Sequence, residues 1–226
     1  MNIRPWRSLG CWLLVLSMCL APAGCGFYED GALTNDNPGN NNLNVVVAFG
    51  DSITQGSECN CTPYPARLTG LIGKLVYNTG VGGTEAKDNV GRTQQAIDRY
   101  HPAFMLILYG INDIIHSRGV GPTTAYVRQM VDICKQNNVV PVLATYPIPI
   151  RSHELFAFNT QMFNQNIRAI AEAEDLKCVD LEAEFTGIPD PANPAIGTDP
   201  DLMEPDGLHP NNAGTQIMTL AFADLF

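Results

Sequence analysis

Five short apolar runs alternate along the chain with longer segments in which apolar residues recur every three or four positions. The runs predict strands, because strands buried on both faces of a parallel sheet are continuously apolar. They lie at residues 45–49, 74–78, 104–109, 139–146 and 178–181. The periodic segments predict helices at residues 64–72, 123–136, 156–173 and 211–225, and one more helix that Thr84 caps and Pro102 ends.

The alternation of these elements predicts the fold class. Strands that alternate with helices through short connections form a mostly parallel sheet covered on both faces. We therefore expect a three-layer α/β/α sandwich with a five-stranded sheet of flavodoxin-like order. Residues 187–205 contain five prolines and no periodicity, which predicts an ordered surface loop. In the last helix, the spacing predicts four residues that face the core: Ala213, Ile217, Leu220 and Ala221.

The N-terminus has the composition of a bacterial export signal. Residues 1–7 carry Arg4 and Arg7 and no acid, and residues 9–20 are mostly apolar but too few to span a bilayer. Small residues follow at positions 21–25. We expect residues 1–24 to be a signal peptide, which predicts a protein in the periplasm or at the cell surface.

Two kinds of processing fit this signal. Residues 21–23 (Ala-Pro-Ala) fit an ordinary cleavage site and a secreted protein, whereas residues 23–25 (Ala-Gly-Cys) resemble the end of a lipoprotein box that would lipidate Cys25. Pro22 stands where that box usually has leucine, which argues against lipidation. The polar, Asn-rich residues 25–43 suit a disordered tether, which argues for it. We favour the lipid anchor, with one domain at residues 44–226.

Composition supports a single acidic domain. The 226 residues are 45% hydrophobic, which is enough for one proper core. The net charge is −10, and loss of Arg4 and Arg7 with the leader would make the chain more acidic. Such a charge repels phosphate backbones and anionic lipids, so we expect no nucleic-acid partner and no membrane contact beyond the anchor.

Four cysteines remain if the leader leaves and Cys25 is lipidated: Cys59, Cys61, Cys134 and Cys178. An even number in an oxidising compartment allows three pairings. Cys134 lies in an apolar stripe at helical spacing, which predicts a thiol in the core. A bond from Cys59 to Cys61 would close across one residue under strain, which argues against it, and a metal site would need further ligands nearby. A bond to another cysteine is an alternative, and the pairing stays open.

Ser52 is the first candidate for a reacting group. It follows the first predicted strand in a Gly-Asp-Ser turn, and ligands of open α/β sheets bind outside the carboxyl ends of strands. Serine needs a base to take its proton and a third group to orient that base. Asp206 and His209 share a tight turn in which the carboxylate reaches one ring nitrogen and the other points away. We expect the remaining histidines at the surface or at helix ends, namely His101, His116 and His153.

Donors for a developing oxyanion follow three of the predicted strands. They are the backbone N–H groups of Ser52 and Gly83 and the side-chain amide of Asn112. Each such donor contributes about 3 kcal/mol in a site that excludes water. Residues 80–83 are glycine-rich, but they lack the full dinucleotide-binding pattern, and the chain has no P-loop lysine motif.

Four sequence blocks resemble those of the GDSL/SGNH hydrolases, in the same order. They are Gly-Asp-Ser at residues 50–52, Asn-Thr-Gly-Val-Gly-Gly at 78–83, Gly-Ile-Asn-Asp at 110–113 and Asp-Gly-Leu-His-Pro at 206–210. The resemblance implies the SGNH hydrolase fold and a serine esterase that uses neither a metal ion nor an organic cofactor. Gly82 stands where many members have serine, which leaves open whether Gly82 or Gly83 donates to the oxyanion, and we choose Gly83.

The resemblance also implies roles for single residues. Ser52 would be the nucleophile, His209 the general base and acid, and Asp206 the group that orients His209. The oxyanion hole would comprise Ser52, Gly83 and Asn112. Ser52 would attack an ester or thioester carbonyl, and water would then hydrolyse the acyl-enzyme.

The substrate stays open at this point. An anchor near lipid favours a lipase-like or lysophospholipase-like enzyme, and a carbohydrate acetyl esterase is the first alternative. The second alternative is a surface-anchored binding module that keeps the fold without catalysis, which predicts the loss of an essential group. We expect a monomer that binds a small-molecule, lipid or glycan ester.

Overall fold

A computed structural model describes residues 37–187 and 197–226. The predicted signal peptide, Cys25 and most of the predicted tether lie outside the described residues. Residues 188–196 of the predicted surface loop also lie outside the described residues. In the described part of that loop, residues 200–202 form a short 3₁₀ turn. The expectations about processing, tether and domain boundaries therefore stay predictions.

The sheet has five parallel strands in the order β2-β1-β3-β4-β5. The strands are β1 (Asn42–Gly50), β2 (Leu75–Asn78), β3 (Pro102–Leu108), β4 (Val140–Ala144) and β5 (Lys177–Val179). This is the predicted flavodoxin-like order, so the fold-class prediction is confirmed. β1 and β3 lie in the interior of the sheet, and residues 46–49 of β1 are completely buried because helices cover both faces.

Eight helices and two 3₁₀ segments lie in the described part of the chain. The helices are α1 (Ser52–Gln55), α2 (Tyr64–Ile72), α3 (Ala86–Tyr100), α4 (Ile111–Ile115), α5 (Val120–Gln136), α6 (Ala157–Glu174), α7 (Leu181–Glu184) and α8 (Asn212–Ala223). The 3₁₀ segments are Arg151–Phe156 and Pro200–Leu202. Helix α5 packs against α3 and α6, and α2 packs against α8. Right-handed crossovers place these two groups on opposite faces of the sheet.

The predicted cap of α3 was wrong. Helix α3 begins after Glu85, and the Thr84 hydroxyl donates instead to the Val81 carbonyl at 2.8 Å. The first N–H groups of α3 are bound from across the fold, because the Asp113 carboxylate accepts from Ala86 N–H at 2.6 Å. A carboxylate at a helix N-terminus also complements the helix dipole. The sequence near Thr84 does not predict this cap, because Asp113 is distant in sequence from the start of α3.

The predicted buried face of α8 was wrong at two of its four positions, since only Ile217 and Ala221 of the predicted residues pack, partly buried, against the core. Leu220 is 47% exposed, and Ala213 lies at the surface, whereas Met218 and Phe222 are completely buried. The Phe222 ring stacks on Tyr64 of α2 with the ring centroids 4.8 Å apart. The centre of the buried face therefore lies about one position (roughly 100°) from the predicted face.

The cysteine pairing differs from the expectation. Cys59 is bonded to Cys61, and the two Cα atoms lie 5.3 Å apart, an ordinary separation for a disulfide. Cys134 and Cys178 are free thiols. Cys134 is buried with its sulfur 3.6 Å from Met105 Sδ, as predicted for a core thiol.

Candidate active site

The turn after β1 places Ser52 at the N-terminus of α1. Asp51 caps this helix, since its Oδ1 accepts from the Ile53 N–H at 2.9 Å. Gly50 precedes it where the backbone passes close to β3, and a Cβ there would lie 2.6 Å from the Leu108 carbonyl oxygen. Ser52 is the first residue of a helix, so its own N–H has no intrahelical acceptor.

The structure brings Ser52, His209 and Asp206 together. Ser52 Oγ lies 2.9 Å from His209 Nε2, across 157 residues of sequence. His209 Nδ1 lies 2.6 Å from Asp206 Oδ2. Ser52 and His209 are both buried, and Asp206 is partly exposed. A hydroxyl, an imidazole and a carboxylate in this chain of hydrogen bonds can transfer a proton from serine to histidine.

The histidine loop, residues 203–210, fixes the last two members of this set. The Asp206 Oδ1 accepts from the backbone N–H groups of Leu208 (2.9 Å) and His209 (3.1 Å). Gly207 has φ 74°, and a Cβ there would lie 2.1 Å from the Ile150 carbonyl oxygen. Only glycine satisfies both the left-handed backbone and the close approach.

The charge state of Asp206 suits an orienting role. Burial by itself would raise the pKa of Asp206, but hydrogen bonds from the His209 ring and from the N–H groups of Leu208 and His209 hold it below its usual range. The carboxyl is therefore ionised at neutral pH and keeps the imidazole proton on Nδ1. Nε2 is then free to accept the Ser52 proton.

Asp51 is a second carboxyl close to the serine, and it behaves differently. Its Oδ2 accepts from the Tyr146 hydroxyl at 2.6 Å, and the group is completely buried. Burial raises the pKa of Asp51 to about 6, against the opposing hydrogen bonds from Tyr146 and the Ile53 N–H. Tyr146 follows β4 at the same sheet edge, and its contribution was not predicted from the sequence.

Two of the predicted oxyanion donors face the same cleft as Ser52. Asn112 is buried in the first turn of α4 and gives one amide hydrogen to the Thr84 carbonyl at 3.0 Å, which leaves the other for a ligand. The Gly82 N–H donates to Gln55 Oε1 at 2.8 Å. The Gly83 N–H has no acceptor within the described residues. Of the two glycines, Gly83 is therefore the one whose N–H is free to bind an oxyanion.

The cleft itself is small and mostly polar. Its volume is about 220 Å³. It is lined by Ser52, Ser57, Glu58, Gly82, Gly83, Asn112, Leu208 and His209. Leu208 is the single large apolar side chain in this lining, so the cleft offers little surface to a long acyl chain.

A neighbouring segment holds the histidine loop in place, a role that the sequence did not predict. We call residues 150–153 the clamp segment. Its bonds run from Ile150 N–H to Gly207 O (2.9 Å), from Ser152 Oγ (2.7 Å) and His153 Nδ1 (2.8 Å) to Asp206 O, and from Arg151 to Glu204 O (2.6 Å). The available signal was weak: a short polar stretch after the two prolines that follow β4.

The other histidines lie outside the cleft. His101 is exposed and ends α3, and His116 is exposed and bonds Glu85 at 3.1 Å. His153 belongs to the clamp segment. Within residues 37–187 and 197–226, no cluster of three or more His, Cys, Asp or Glu side chains is arranged to hold a metal ion.

The sequence model of the GDSL-like lipase/acylhydrolase family matches residues 48–217 of the chain. This match spans most of the chain and includes every residue of the cleft. The chain belongs to the GDSL family. The family resemblance of the four sequence blocks is thereby confirmed, and the chain is a hydrolase of a family that acts on ester bonds.

Relatives of this GDSL hydrolase include a curated protein of Bacillus subtilis (strain 168), the uncharacterized lipoprotein YqeF. It is 26% identical over 212 residues, which cover 76% of this chain and 85% of YqeF. A GDSL-like lipase from Bacteroides thetaiotaomicron has a similar structure, with a TM-score of 0.66 and 19% identity over 80% of this chain and 87% of that one. The acetylxylan esterase Axe2 from Geobacillus stearothermophilus has a TM-score of 0.64 and 22% identity over 80% of this chain and 93% of that one. These structural likenesses show the shared fold.

None of the helices in the described part of this GDSL hydrolase has the length and apolar character needed to cross a bilayer.

Proposed function

We propose that this GDSL hydrolase is a serine esterase that forms an acyl-enzyme on Ser52. The observation that carries the proposal is the continuous hydrogen-bond chain of 2.9 Å from Ser52 to His209 and 2.6 Å from His209 to Asp206. This chain ends in a cleft that also contains Gly83 and Asn112. Nucleophile, base, orienting carboxylate and oxyanion donors are the complete set for acyl transfer.

The proposed reaction has two halves. His209 Nε2 takes the Ser52 proton as Oγ attacks the ester carbonyl, and Gly83 N–H, Ser52 N–H and the Asn112 amide bind the oxyanion. The imidazolium then gives its proton to the leaving alkoxide, so the alcohol departs and the acyl-enzyme remains. Water repeats the same steps through His209 and releases the acid, which restores the free serine.

The size of the cleft favours a short acyl group. About 220 Å³ lies below the roughly 300–1,000 Å³ of sites that enclose drug-sized ligands. An acetyl group fits beside Ser52 without an apolar channel, and the polar lining suits a polar alcohol. We therefore place an acetyl esterase for hydroxyl-rich compounds ahead of the lipase-like enzyme. The acetylxylan esterase named above belongs to this first class, and it supports the proposal through its fold.

A lysophospholipase-like activity is the second candidate, because two apolar side chains lie exposed around the start of α6. Leu155 is 74% exposed and Phe158 is 71% exposed. Both follow the clamp segment directly in sequence. These side chains offer apolar surface to a lipid acyl chain that the cleft is too small to hold.

A series of p-nitrophenyl esters from acetate to palmitate, together with a lysophospholipid, tests the proposal. We expect kcat/KM to fall steadily beyond butyrate, and Ser52→Ala to lose activity on acetate by at least about a thousandfold. Palmitate or lysophospholipid as the preferred substrate would instead establish the second candidate. No hydrolysis of any ester by the wild type would overturn the esterase proposal and favour a binding module.

We also propose that the protein is exported and anchored by a lipid on Cys25. The support is the leader composition and the lipoprotein name of the Bacillus subtilis relative. The intact mass of the mature N-terminus, measured for the wild type and for Cys25→Ser, tests this. We expect a diacylglyceryl mass on the wild type that Cys25→Ser lacks, and an unmodified mature N-terminus in the wild type would contradict it.

A further inference from the structure

A second cavity lies next to the loop that carries Gly83, and we call it the arginine cavity. Its volume is about 270 Å³. Gly80 and Val81 form part of one wall, whereas Gly82 and Gly83 of the same loop line the catalytic cleft. Helix α3 forms the opposite wall with Arg92 among its lining residues. The two sites therefore share one loop but have different linings.

Arg92 is held rigidly at the edge of the arginine cavity by neutral groups. Its NH1 donates to Asn89 Oδ1 (2.6 Å) and to the Tyr109 hydroxyl (3.0 Å), and its NH2 donates to the Thr79 carbonyl (3.1 Å). The guanidinium also lies over the Phe49 ring, 5.4 Å from the centroid. None of these partners carries a negative charge, so the positive charge of Arg92 is not neutralised.

Arg99 lies one heptad further along the same face of α3. Its guanidinium lies over the Tyr100 ring, 5.3 Å from the centroid, which limits the rotamers of a long side chain. Within the described residues, neither the Arg99 side chain nor the neighbouring Gln95 side chain has a hydrogen bond or ion pair. Arg99 and Gln95 therefore supply the free donors of the cavity.

The charges around the cavity leave it positive in an acidic protein. The net charge of the chain is −10, and several other basic side chains of the described part pair with carboxylates. Asp98 is the carboxylate nearest to Arg99 in sequence, and it accepts from the Gln94 side chain at 2.7 Å. Gln94 also bonds Asn137 at the end of α5. Asp98 therefore points toward α5, and no acidic residue lines the cavity.

We propose that the arginine cavity binds an anionic group, either a carboxylate or a phosphate. An arginine fork matches both groups with paired N–H donors, and the ring contacts of Arg92 and Arg99 limit the side-chain entropy that is lost on binding. The volume of about 270 Å³ accommodates a single sugar-sized ligand. The proposal concerns binding alone and does not depend on the serine chemistry of the neighbouring cleft.

Titration of the ¹⁵N-labelled full chain, followed by amide chemical shifts, tests this proposal. The probes are inorganic phosphate, glucuronate and uncharged glucose at matched ionic strength. We expect saturable shifts at the Gly80 and Val81 amides with phosphate, with glucuronate or with both, and the preference identifies the group. Arg99→Gln should weaken binding about fivefold or more, whereas Arg128→Gln should leave it unchanged, because Arg128 pairs with Glu174 on a different face.

Three results would overturn the proposal. The first is the absence of saturable shifts at Gly80 and Val81 with either anion. The second is glucose producing the same shifts as glucuronate, since the site would then not recognise charge. The third is equal affinity in the wild type and in Arg99→Gln. Because Arg99 is exposed, the variant is expected to fold, and its amide spectrum checks this directly.

Discussion

Asp51→Asn tests whether the buried carboxyl beside the nucleophile titrates as its surroundings require. Burial raises the pKa of Asp51 from its ordinary value of 3.8 to about 6. The folded state therefore binds this proton more tightly than the unfolded state. Protonation of Asp51 therefore stabilises the folded state. This stabilisation is complete at pH values below the pKa of the unfolded state and is lost as pH rises through the pKa of the folded state. Asparagine keeps the shape and the acceptor for the Ile53 N–H but has no proton to lose.

The size of the effect follows from the two pKa values. Each unit of difference corresponds to about 1.4 kcal/mol, so the whole change is about 3 kcal/mol. Between about pH 4.5 and about pH 7, the wild type should lose about 2 kcal/mol of unfolding free energy that Asp51→Asn does not lose. Other titrating groups contribute equally to both proteins and cancel in the comparison.

Urea unfolding at the two pH values, followed by far-UV circular dichroism, measures this difference. The readout is the change with pH and not the absolute stability, because asparagine also alters the hydrogen bond to Tyr146. Asp88→Asn is the matched control, since Asp88 is exposed on α3 and forms its ion pair in the described part of the chain with Lys87. Equal pH dependence in the wild type and Asp51→Asn would refute the argument that burial raises this pKa.

Two further substitutions test parts of the site. Asn112→Ala should lower kcat on p-nitrophenyl acetate by about a hundredfold with little change in KM, because one oxyanion donor is lost. Asn166→Ala should match the wild type, because the Asn166 amide donates to Thr124 of α5 at 3.1 Å and Asn166 does not line the cleft. Equal rates for both variants would contradict the role of Asn112. Gly207→Ala should lower the thermal midpoint and the activity together, since its Cβ would lie 2.1 Å from Ile150 O, whereas Gly70→Ala meets nothing within 4 Å. An unchanged midpoint in Gly207→Ala would show that the histidine loop tolerates the shift.

Much of the fold follows from local sequence pattern. The apolar runs predict the five strands, and alternation with helices predicts their parallel order, because both signals are local and repeated. The cap of α3 and the buried face of α8 do not follow. The first depends on Asp113 and the second on Tyr64, and both contacts are distant in sequence. Local helix propensity does not predict which side chain from a distant part of the sequence will contact a helix.

The residues of the candidate site also fall into those that local sequence predicts and those that it does not. Ser52, Asp206 and His209 lie in short motifs whose residue types and spacing indicate a chemical role. The sequence therefore identifies these candidates, and the fold brings them together. The supporting groups carry no such motif. Tyr146 donates to the buried Asp51 carboxyl, and the clamp segment binds backbone atoms of the histidine loop. Both contacts join residues that are distant in sequence. A polar side chain after a strand is also too common to identify such a role.

Covalent labelling with a fluorophosphonate probe tests the central claim that Ser52 is an activated nucleophile. We predict one adduct per chain, located on Ser52 by peptide mass spectrometry and absent in Ser52→Ala. His209→Gln should slow labelling strongly, because the base that takes the serine proton is lost. Ser57→Ala should still be labelled, since Ser57 lines the same cleft without an imidazole partner. An adduct that persists in Ser52→Ala, or a folded wild type that the probe does not label, would contradict the account.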